Sequence, residues 1–236
     1  MESDFNYHGP VVVFDIDDTL FRERDFCRSG FRHILKRVET EIGEIPANLY
    51  DKMNVALTNR QNPFDVFEKE LKPLYHRGGS EWNLNSYIQD YRTHRPDIHL
   101  EEGFPQLLRL LQISRIVIGI ITDGRSNSQR RKIEALGLEE FVAPSNILIS
   151  EETGFDKTSM EPFGYFVRKY PEASRFLYIA DNPAKDFFQP NLLGWTTVQV
   201  PDRLDNVHPA CLPENDLFLP SRKIAKIEDL RHIIFE

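Results

Sequence analysis

Three short apolar runs have the composition of buried parallel strands, since they are rich in β-branched residues and do not alternate with polar ones. The runs cover residues 11–16, 116–122 and 176–180, and weaker candidates lie at 147–150 and 196–200. Between them, apolar residues recur at three- and four-residue spacing over 104–111, 126–136 and 160–170, which predicts amphipathic helices. Strands that alternate with helices in this way predict an α/β fold built on a parallel sheet.

The region from residue 21 to residue 95 breaks this alternation. It contains several helical stretches but no convincing strand, and Pro46, Pro63, Pro73 and the pair Gly78-Gly79 interrupt it. We therefore predict an α/β core formed by residues 1–20 and 96–236, with residues 21–95 inserted as a helical subdomain. The apolar residues after Lys223 share one face, so the tail is expected to form a helix.

Composition and charge narrow the class of partner. The chain has 236 residues, of which 40% are hydrophobic and 28% charged, as in ordinary globular proteins. The net charge of -8 argues against a surface for nucleic acid polymers, which needs clustered Lys and Arg. A small anionic substrate remains compatible with this charge, provided that a metal or a lysine supplies positive charge locally.

The cysteines and the apolar runs bear on location. Cys27 and Cys211 are the only two cysteines and lie far apart in the sequence, so we predict no disulfide framework and a reducing, cytoplasmic setting. The first ten residues are polar and acidic, unlike a secretory signal. The apolar run 116–121 is too short to span a bilayer, which needs about 20 residues. No membrane contact is expected, and the sequence does not predict an oligomeric state.

Carboxylates cluster at the end of the first apolar run. Asp15, Asp17 and Asp18 come where the strand is expected to end, and such charges are costly to bury unless something compensates them. One interpretation is that these aspartates cap a helix or form a turn. The other is that they hold a cation, because ligands bind at the carboxyl ends of strands in parallel α/β sheets.

Two further strands end in polar clusters, which favours the second interpretation. The run 116–121 leads into Thr122, Asp123 and Gly124, and the run 176–180 leads into Asp181, with Asp186 five residues later. The carboxyl ends of parallel strands lie at one edge of a sheet, so these groups are expected to meet.

The order and spacing of these residues resemble the haloacid dehalogenase-like hydrolase superfamily, whose members are mostly phosphatases. The matching features are Asp-x-Asp-x-Thr at residues 15–19, Thr122, Lys157, and the pair Asp181 and Asp186. The resemblance implies a Rossmann-like, three-layer core and makes the helical insert a cap over the site. It departs from the family at residue 158, where a threonine follows the lysine instead of the frequent proline.

The resemblance also implies a magnesium-dependent mechanism. Asp15 would attack phosphorus and become an aspartyl-phosphate, while Asp17 would give a proton to the leaving alcohol and later take one from water. The magnesium ligands would be the side chains of Asp15 and Asp181 and the backbone carbonyl of Asp17. A cation is needed because two like charges about 4 Å apart repel by roughly 4 kcal/mol at an effective dielectric constant near 20.

The remaining residues would bind the phosphate group. Thr122 and the backbone that follows it, at Asp123 and Gly124, would hold its oxygens, and the glycine would permit close approach. Lys157 would offset the crowded negative charge and orient the phosphorylated intermediate. Asp186 would hold this lysine or a metal-bound water.

The predicted function is therefore hydrolysis of a small phosphate monoester, a phosphorylated metabolite. A phosphomutase of the same fold uses the same two aspartates and remains an alternative, as does a binding module that has kept the phosphate site without turnover. A haloalkanoate dehalogenase is less compatible, because that branch of the superfamily lacks the aspartate found here at Asp17. A phosphonate-cleaving enzyme is disfavoured for the same reason.

Overall fold

Six parallel strands form one sheet within the part of the chain that the computed structural model describes, residues 6–78, 81–201, 206–207 and 215–236. They are β1 (Pro10–Phe14), β2 (Val117–Thr122), β3 (Ile147–Ile149), β4 (Arg175–Ala180), β5 (Thr196–Gln199) and β6 (Arg222–Lys223). Every neighbouring pair is parallel, in the order β3-β2-β1-β4-β5-β6. The predicted α/β, Rossmann-like fold is confirmed, and β6 is a strand that the sequence pattern did not reveal.

The strand order places a switch point at the centre of the sheet. The chain adds β2 and β3 on one side of β1 and then returns to add β4, β5 and β6 on the other. In such sheets a crevice opens at the carboxyl ends of the two central strands, which is where ligands bind. Phe14 of β1 is in register with Ile179 of β4, so the residues that follow both strands emerge side by side.

The chain divides into two compact units. One comprises Met1–Arg22 with His99–Glu236 and is called the core unit here; the other is Glu23–Ile98, the helical unit. The sequence placed the corresponding junctions after residues 20 and 95, two and three residues earlier. Cys211 and Gly79, which entered the sequence analysis, lie outside the described residues.

Helices make up the regular structure of the helical unit and connect the strands of the core unit. The helical unit contains α1 (Glu23–Ile42), α2 (Leu49–Thr58), α3 (Pro63–Arg77) and α4 (Leu84–Thr93). The core unit contains α5 (Phe104–Ile113), α6 (Ser126–Ala135), α7 (Ser150–Thr153), α8 (Glu161–Lys169), α9 (Phe188–Leu192) and α10 (Asp229–Phe235). No helix in the described ranges is both long enough and apolar enough to cross a bilayer.

Aromatic side chains of α8 pack against β1 in the core unit. Phe163 and Phe166 of α8 are fully buried with Val11 and Val13 of β1. Gly119 of β2 leaves the room for this packing, because a Cβ atom there would lie 2.5 Å from the ring of Phe166. The helix is thereby held against the strands whose ends carry the polar clusters.

A partly exposed polar network links three helices of the helical unit. Glu41 of α1 accepts hydrogen bonds from the hydroxyl groups of Tyr75 in α3 and Tyr87 in α4. Arg37 bonds Glu41 at 2.6 Å and Asp90 at 2.5 Å. Three helices therefore share one set of paired donors and acceptors.

Candidate active site

Three carboxylates converge at the central crevice of the core unit. Asp15 follows β1, Asp181 follows β4, and Asp186 closes the turn that begins at Asn182. One carboxylate oxygen from each lies within 4.8 Å of the others, and all three residues are buried. The two stretches of chain that the sequence analysis linked are thus side by side, because β1 and β4 are hydrogen-bonded neighbours.

Lys157 is the cation of this cluster. Its Nζ lies 2.6 Å from Oδ1 of Asp15 and 3.0 Å from Oδ1 of Asp186, and the residue is only 1% exposed. Burial alone would lower the pKa of Lys157, but the two carboxylates raise it well above the ordinary lysine value. The lysine is therefore a buried ammonium ion, as its predicted role requires.

The loop that carries Lys157 is fastened to the neighbouring loops. The backbone amide of Lys157 donates to Oδ1 of Asp123 at 3.1 Å, and the amide of Asn182 donates to Oδ2 of Asp186 at 2.9 Å. The Asp123 side chain thus supports the lysine loop, a contact that its predicted place in the phosphate site did not include.

The carboxylate cluster carries more negative charge than Lys157 can balance. Burial raises the pKa of Asp15 to about 6, and Lys157 opposes that rise. Burial and the charges of Asp186 and Asp15 raise the pKa of Asp181 to about 9. When all three carboxyl groups are ionised they carry two more negative charges than Lys157 balances, and a divalent cation would offset these charges and so favour the ionised forms. Hard oxygen donors of this kind fit Mg²⁺.

The carboxylate of Asp17 is bonded by a different set of residues. Its Oδ1 lies 2.6 Å from Nζ of Lys132, and its Oδ2 accepts from Nε2 of Gln129 at 2.9 Å. Burial alone would raise the pKa of Asp17, but these contacts hold it below its ordinary value. An ionised Asp17 suits the predicted base step directly, and a phosphate dianion beside it would favour the protonated form that the acid step needs.

Thr122 presents an unsatisfied hydroxyl group. The residue is 1% exposed, and its Oγ1 has no hydrogen-bond partner among the described residues. Buried polar atoms are nearly always hydrogen-bonded, so the unpaired Oγ1 of Thr122 at the end of β2 requires an explanation. A phosphate oxygen bound at this position would supply the missing partner.

Gly124 has a different set of contacts from those its predicted role implies. Its amide donates to Oγ of Ser150 at 2.9 Å, a bond that it would give up in order to hold a phosphate oxygen. Its φ of +140° favours glycine, and a Cβ atom would lie 2.8 Å from Nε2 of Gln129. The close approach that Gly124 permits in this structure is therefore that of the Gln129 side chain.

Asp18 and Thr19 stabilise the loop after β1. Asp18 has a φ of +52°, and its Oδ2 accepts from the amide of Val207 at 3.0 Å. Thr19 Oγ1 lies 3.4 Å from Oδ2 of Asp15. Asp18 thus holds the backbone of a neighbouring loop at the edge of the site, which agrees with the interpretation of this aspartate as a turn residue.

Sequence reasoning missed several residues that support the site. They are Gln129 and Lys132 beside Asp17, and Asn206 and Gln199, which donate to Oδ2 and to the carbonyl of Asp181 at 3.1 and 3.0 Å. The helix pattern could have revealed the first two, since they share the buried face of α6 with Ile133. No comparable signal marks Asn206 in the loops that follow β5.

Comparison with known proteins shows which family the sequence matches. Residues 12–196 match the family of haloacid dehalogenase-like hydrolases. The HAD-hydrolase YfnB of Bacillus subtilis is 27% identical, over 95% of this chain and 94% of that protein. Its crystal structure, with magnesium bound, superposes with a TM-score of 0.65 at 22% identity, covering 96% of this chain and 99% of that one.

Two further relatives carry names that specify a substrate. Glyceraldehyde 3-phosphate phosphatase of Methanocaldococcus jannaschii is 24% identical, over 80% of this chain and 83% of that protein. Pyrimidine 5'-nucleotidase YjjG of Escherichia coli is 22% identical, over 94% of this chain and 96% of that protein. Since the family match spans most of the sequence and includes the strands on which the site is built, the chain belongs to the haloacid dehalogenase-like hydrolases.

Proposed function

We propose that this hydrolase is a magnesium-dependent phosphatase that acts on small phosphate monoesters through an aspartyl-phosphate on Asp15. The observation that carries the proposal is the convergence of Asp15, Asp181 and Asp186 around the buried ammonium group of Lys157. A buried cluster with surplus negative charge has a reason to exist if it binds a divalent cation.

The proposed reaction has two steps. In the first, a carboxylate oxygen of Asp15 forms a bond to phosphorus while the bond from phosphorus to the ester oxygen breaks, and Asp17 gives a proton to the departing alcohol. In the second, Asp17 takes a proton from water, the water oxygen bonds to phosphorus, and the bond to Asp15 breaks. Inorganic phosphate leaves and both aspartates return to their first state.

Thr122 and Lys157 would stabilise the phosphoryl group during both steps. The unpaired hydroxyl of Thr122 would donate to a phosphoryl oxygen, and the ammonium group of Lys157 would lie beside the nucleophilic carboxylate. Bound magnesium would supply Lewis-acid charge that offsets the repulsion between the carboxylate and the phosphate. The side chains of Asp15 and Asp181 and the carbonyl of Asp17 would hold it, with Asp186 next to them.

The same residues favour phosphate esters over haloacids as substrates. A dehalogenase needs an aspartate nucleophile but neither a metal nor a group that protonates a leaving alcohol. This chain has Asp17 in a supported position and a cluster of acidic oxygens able to bind a cation. These features serve phosphoryl transfer and have no use in displacement of a halide.

The substrate class follows from the relatives and from charge. The names of two relatives specify a triose phosphate and a pyrimidine nucleotide, both small phosphate monoesters. The net charge of -8 makes a large polyanion a poor substrate. We propose a phosphorylated metabolite of that size, with the helical unit, Glu23–Ile98, selecting the leaving group as a cap.

Hydrolysis of p-nitrophenyl phosphate tests the proposal. We expect turnover with Mg²⁺, loss of turnover in EDTA, and recovery when Mg²⁺ is restored. Asp15→Asn should lower kcat by about 10³-fold or more, because it removes the nucleophile. Asp216→Asn, at an exposed aspartate, is the matched control and should leave turnover unchanged. Turnover that survives chelation or the loss of the Asp15 carboxylate would refute the mechanism.

A further inference from the structure

Helix α6 buries two polar side chains that the proposed reaction does not yet use. Gln129 and Lys132 are 3% and 4% exposed, and they lie on the same face as the fully buried Ile133. Lysine is almost never buried without a partner, and a buried amide also needs hydrogen bonds. The partners of these two side chains should therefore explain why the buried face of α6 carries polar residues.

Both side chains bind Asp17, and each takes a different oxygen. Nζ of Lys132 lies 2.6 Å from Oδ1, and Nε2 of Gln129 lies 2.9 Å from Oδ2. A carboxylate held at one oxygen can still rotate about its terminal torsion, which is broad for aspartate. Held at both oxygens from one rigid helix, the Asp17 carboxylate has one orientation.

The two donors are themselves held in place. Nε2 of Gln129 also donates to the carbonyl of Asp123 at 2.9 Å, and it packs against Gly124, where a Cβ atom would lie 2.8 Å away. Nζ of Lys132 lies 5.9 Å from the centroid of the Phe21 ring, whose residue forms a backbone bridge with Asp17. Contacts on both sides of Asp17 therefore limit where the donors can move.

We propose that Gln129 and Lys132 are positioning residues, which hold the Asp17 carboxylate in the orientation from which it exchanges a proton with the leaving alcohol. This inference rests on the proposed function, since it assigns a role within that reaction. Proton transfer needs the two heavy atoms at hydrogen-bond distance, and a misplacement of about 1 Å can cost about 10²-fold in rate. An aspartate on a loop does not hold such a position by itself.

Two substrates with different leaving groups separate positioning from a general structural role. Propyl phosphate releases a basic alkoxide that must be protonated as it leaves, whereas p-nitrophenyl phosphate releases a stable phenolate that needs no proton. Lys132→Met keeps the length and burial of the side chain and removes its charge. We expect it to lower kcat/KM for propyl phosphate by about 10²-fold, and for p-nitrophenyl phosphate by much less.

The quantity compared is kcat/KM because it reports the steps up to departure of the leaving group, before the aspartyl-phosphate is hydrolysed. Arg131→Met is the matched control, since Arg131 is the neighbouring residue on α6, is exposed and pairs with Glu134. It should leave both kcat/KM values unchanged. Lys132→Arg keeps a cation at the site and should recover part of the loss on propyl phosphate.

A double-mutant cycle tests whether Lys132 acts through Asp17. Asp17→Asn should itself lower kcat/KM for propyl phosphate far more than for p-nitrophenyl phosphate. In that background Lys132→Met should add little, because the group that it positions is already gone. Gln129→Met gives a second route to the same result if Lys132→Met does not fold, and it should show the same dependence on the leaving group.

Failure of this inference can be told apart from failure of the proposed function. If the unsubstituted protein hydrolyses both esters with Mg²⁺ but Lys132→Met lowers the two kcat/KM values equally, or lowers neither, the positioning role is refuted and the phosphatase stands. Additive effects of Lys132→Met and Asp17→Asn refute it as well. If the unsubstituted protein hydrolyses neither ester, the proposed function fails first.

Discussion

Replacing Lys157 by methionine removes the only ammonium group within bonding distance of the acidic cluster among the described residues. Nζ of Lys157 lies 2.6 Å from Asp15 and 3.0 Å from Asp186, and all three side chains are at most 4% exposed. Without the lysine, these carboxylates and Asp181 repel one another in a site that water barely reaches. Breaking a buried ion pair from one side costs about 3–5 kcal/mol of unfolding free energy, and we expect Lys157→Met to lose that amount in EDTA.

Magnesium should restore more stability to this variant than to the unsubstituted protein. A ligand that binds only the folded state at 100 times its dissociation constant adds about 2.7 kcal/mol. Removal of the ammonium charge strengthens the attraction between the carboxylates and a cation, so the variant should bind Mg²⁺ more tightly. At a fixed Mg²⁺ concentration, the unfolding free energy of Lys157→Met should therefore increase by more than that of the unsubstituted protein.

Urea unfolding, with and without Mg²⁺, measures both quantities. Trp195 is 5% exposed and stacks on Phe176 in the core unit, so its fluorescence reports unfolding of that unit when Trp82 of the helical unit is replaced by phenylalanine. Lys226→Met, at an exposed lysine, is the control and should change the unfolding free energy by less than about 0.5 kcal/mol.

Two outcomes would refute this reasoning. A loss below about 1 kcal/mol for Lys157→Met in EDTA would mean that the acidic cluster does not depend on the buried cation, contrary to the cost expected for a broken buried pair. A magnesium-dependent gain no larger than that of the unsubstituted protein would mean that the cluster does not carry surplus negative charge.

Two further substitutions test single hydrogen bonds at the site. Thr122→Val removes a hydroxyl that has no partner, so it should not lower the unfolding free energy measured in urea, yet the inhibition constant for inorganic phosphate should rise about tenfold. A destabilised variant, or one with unchanged inhibition, would contradict this role. Asn206→Ala removes a donor to Asp181 and should raise the half-saturating Mg²⁺ concentration of turnover about 10–100-fold. Loss of activity that saturating Mg²⁺ does not restore would argue against this role.

The sheet was predictable because its strands are strongly patterned. Residues 11–16 and 116–122 are apolar runs that only a buried strand or helix explains, and β1 and β2 begin and end within two residues of those bounds. Strand β6 has only Arg222 and Lys223, both exposed, and it follows no apolar run. Its place in the sheet comes from pairing with β5, which is tertiary information that local pattern does not carry.

The site was predictable as far as it lies at strand ends. Asp15, Thr122 and Asp181 each follow an apolar run, and the topology of a parallel sheet then brings them to one edge. The supports of Asp17 were missed because Lys132 and Gln129 read as ordinary polar residues on a surface helix. Their burial becomes visible only when the helical phase is fixed by Ile133.

The contacts of Asn206 depend on loops rather than on pattern. Asn206 and Val207 reach Asp181 and Asp18 from far along the chain, and no periodicity links those positions. These contacts form because Asn206 and Val207 lie beside the loops that follow β4 and β1. Single-sequence reasoning has no means of finding them.

The segments at which the chain leaves and re-enters the core unit are bonded to each other. The carbonyl of Leu20 accepts from the amide of Glu101 at 2.9 Å, and Arg22 bonds the carboxylate of Glu101 at 2.8 Å. The helical unit, Glu23–Ile98, is therefore an insertion between two segments of the core unit that are hydrogen-bonded to each other. An inserted unit of another length or fold could join the core unit at the same two points while the strands and the acidic cluster keep their places, and under the proposed function such a change would alter the substrate without altering the nucleophile.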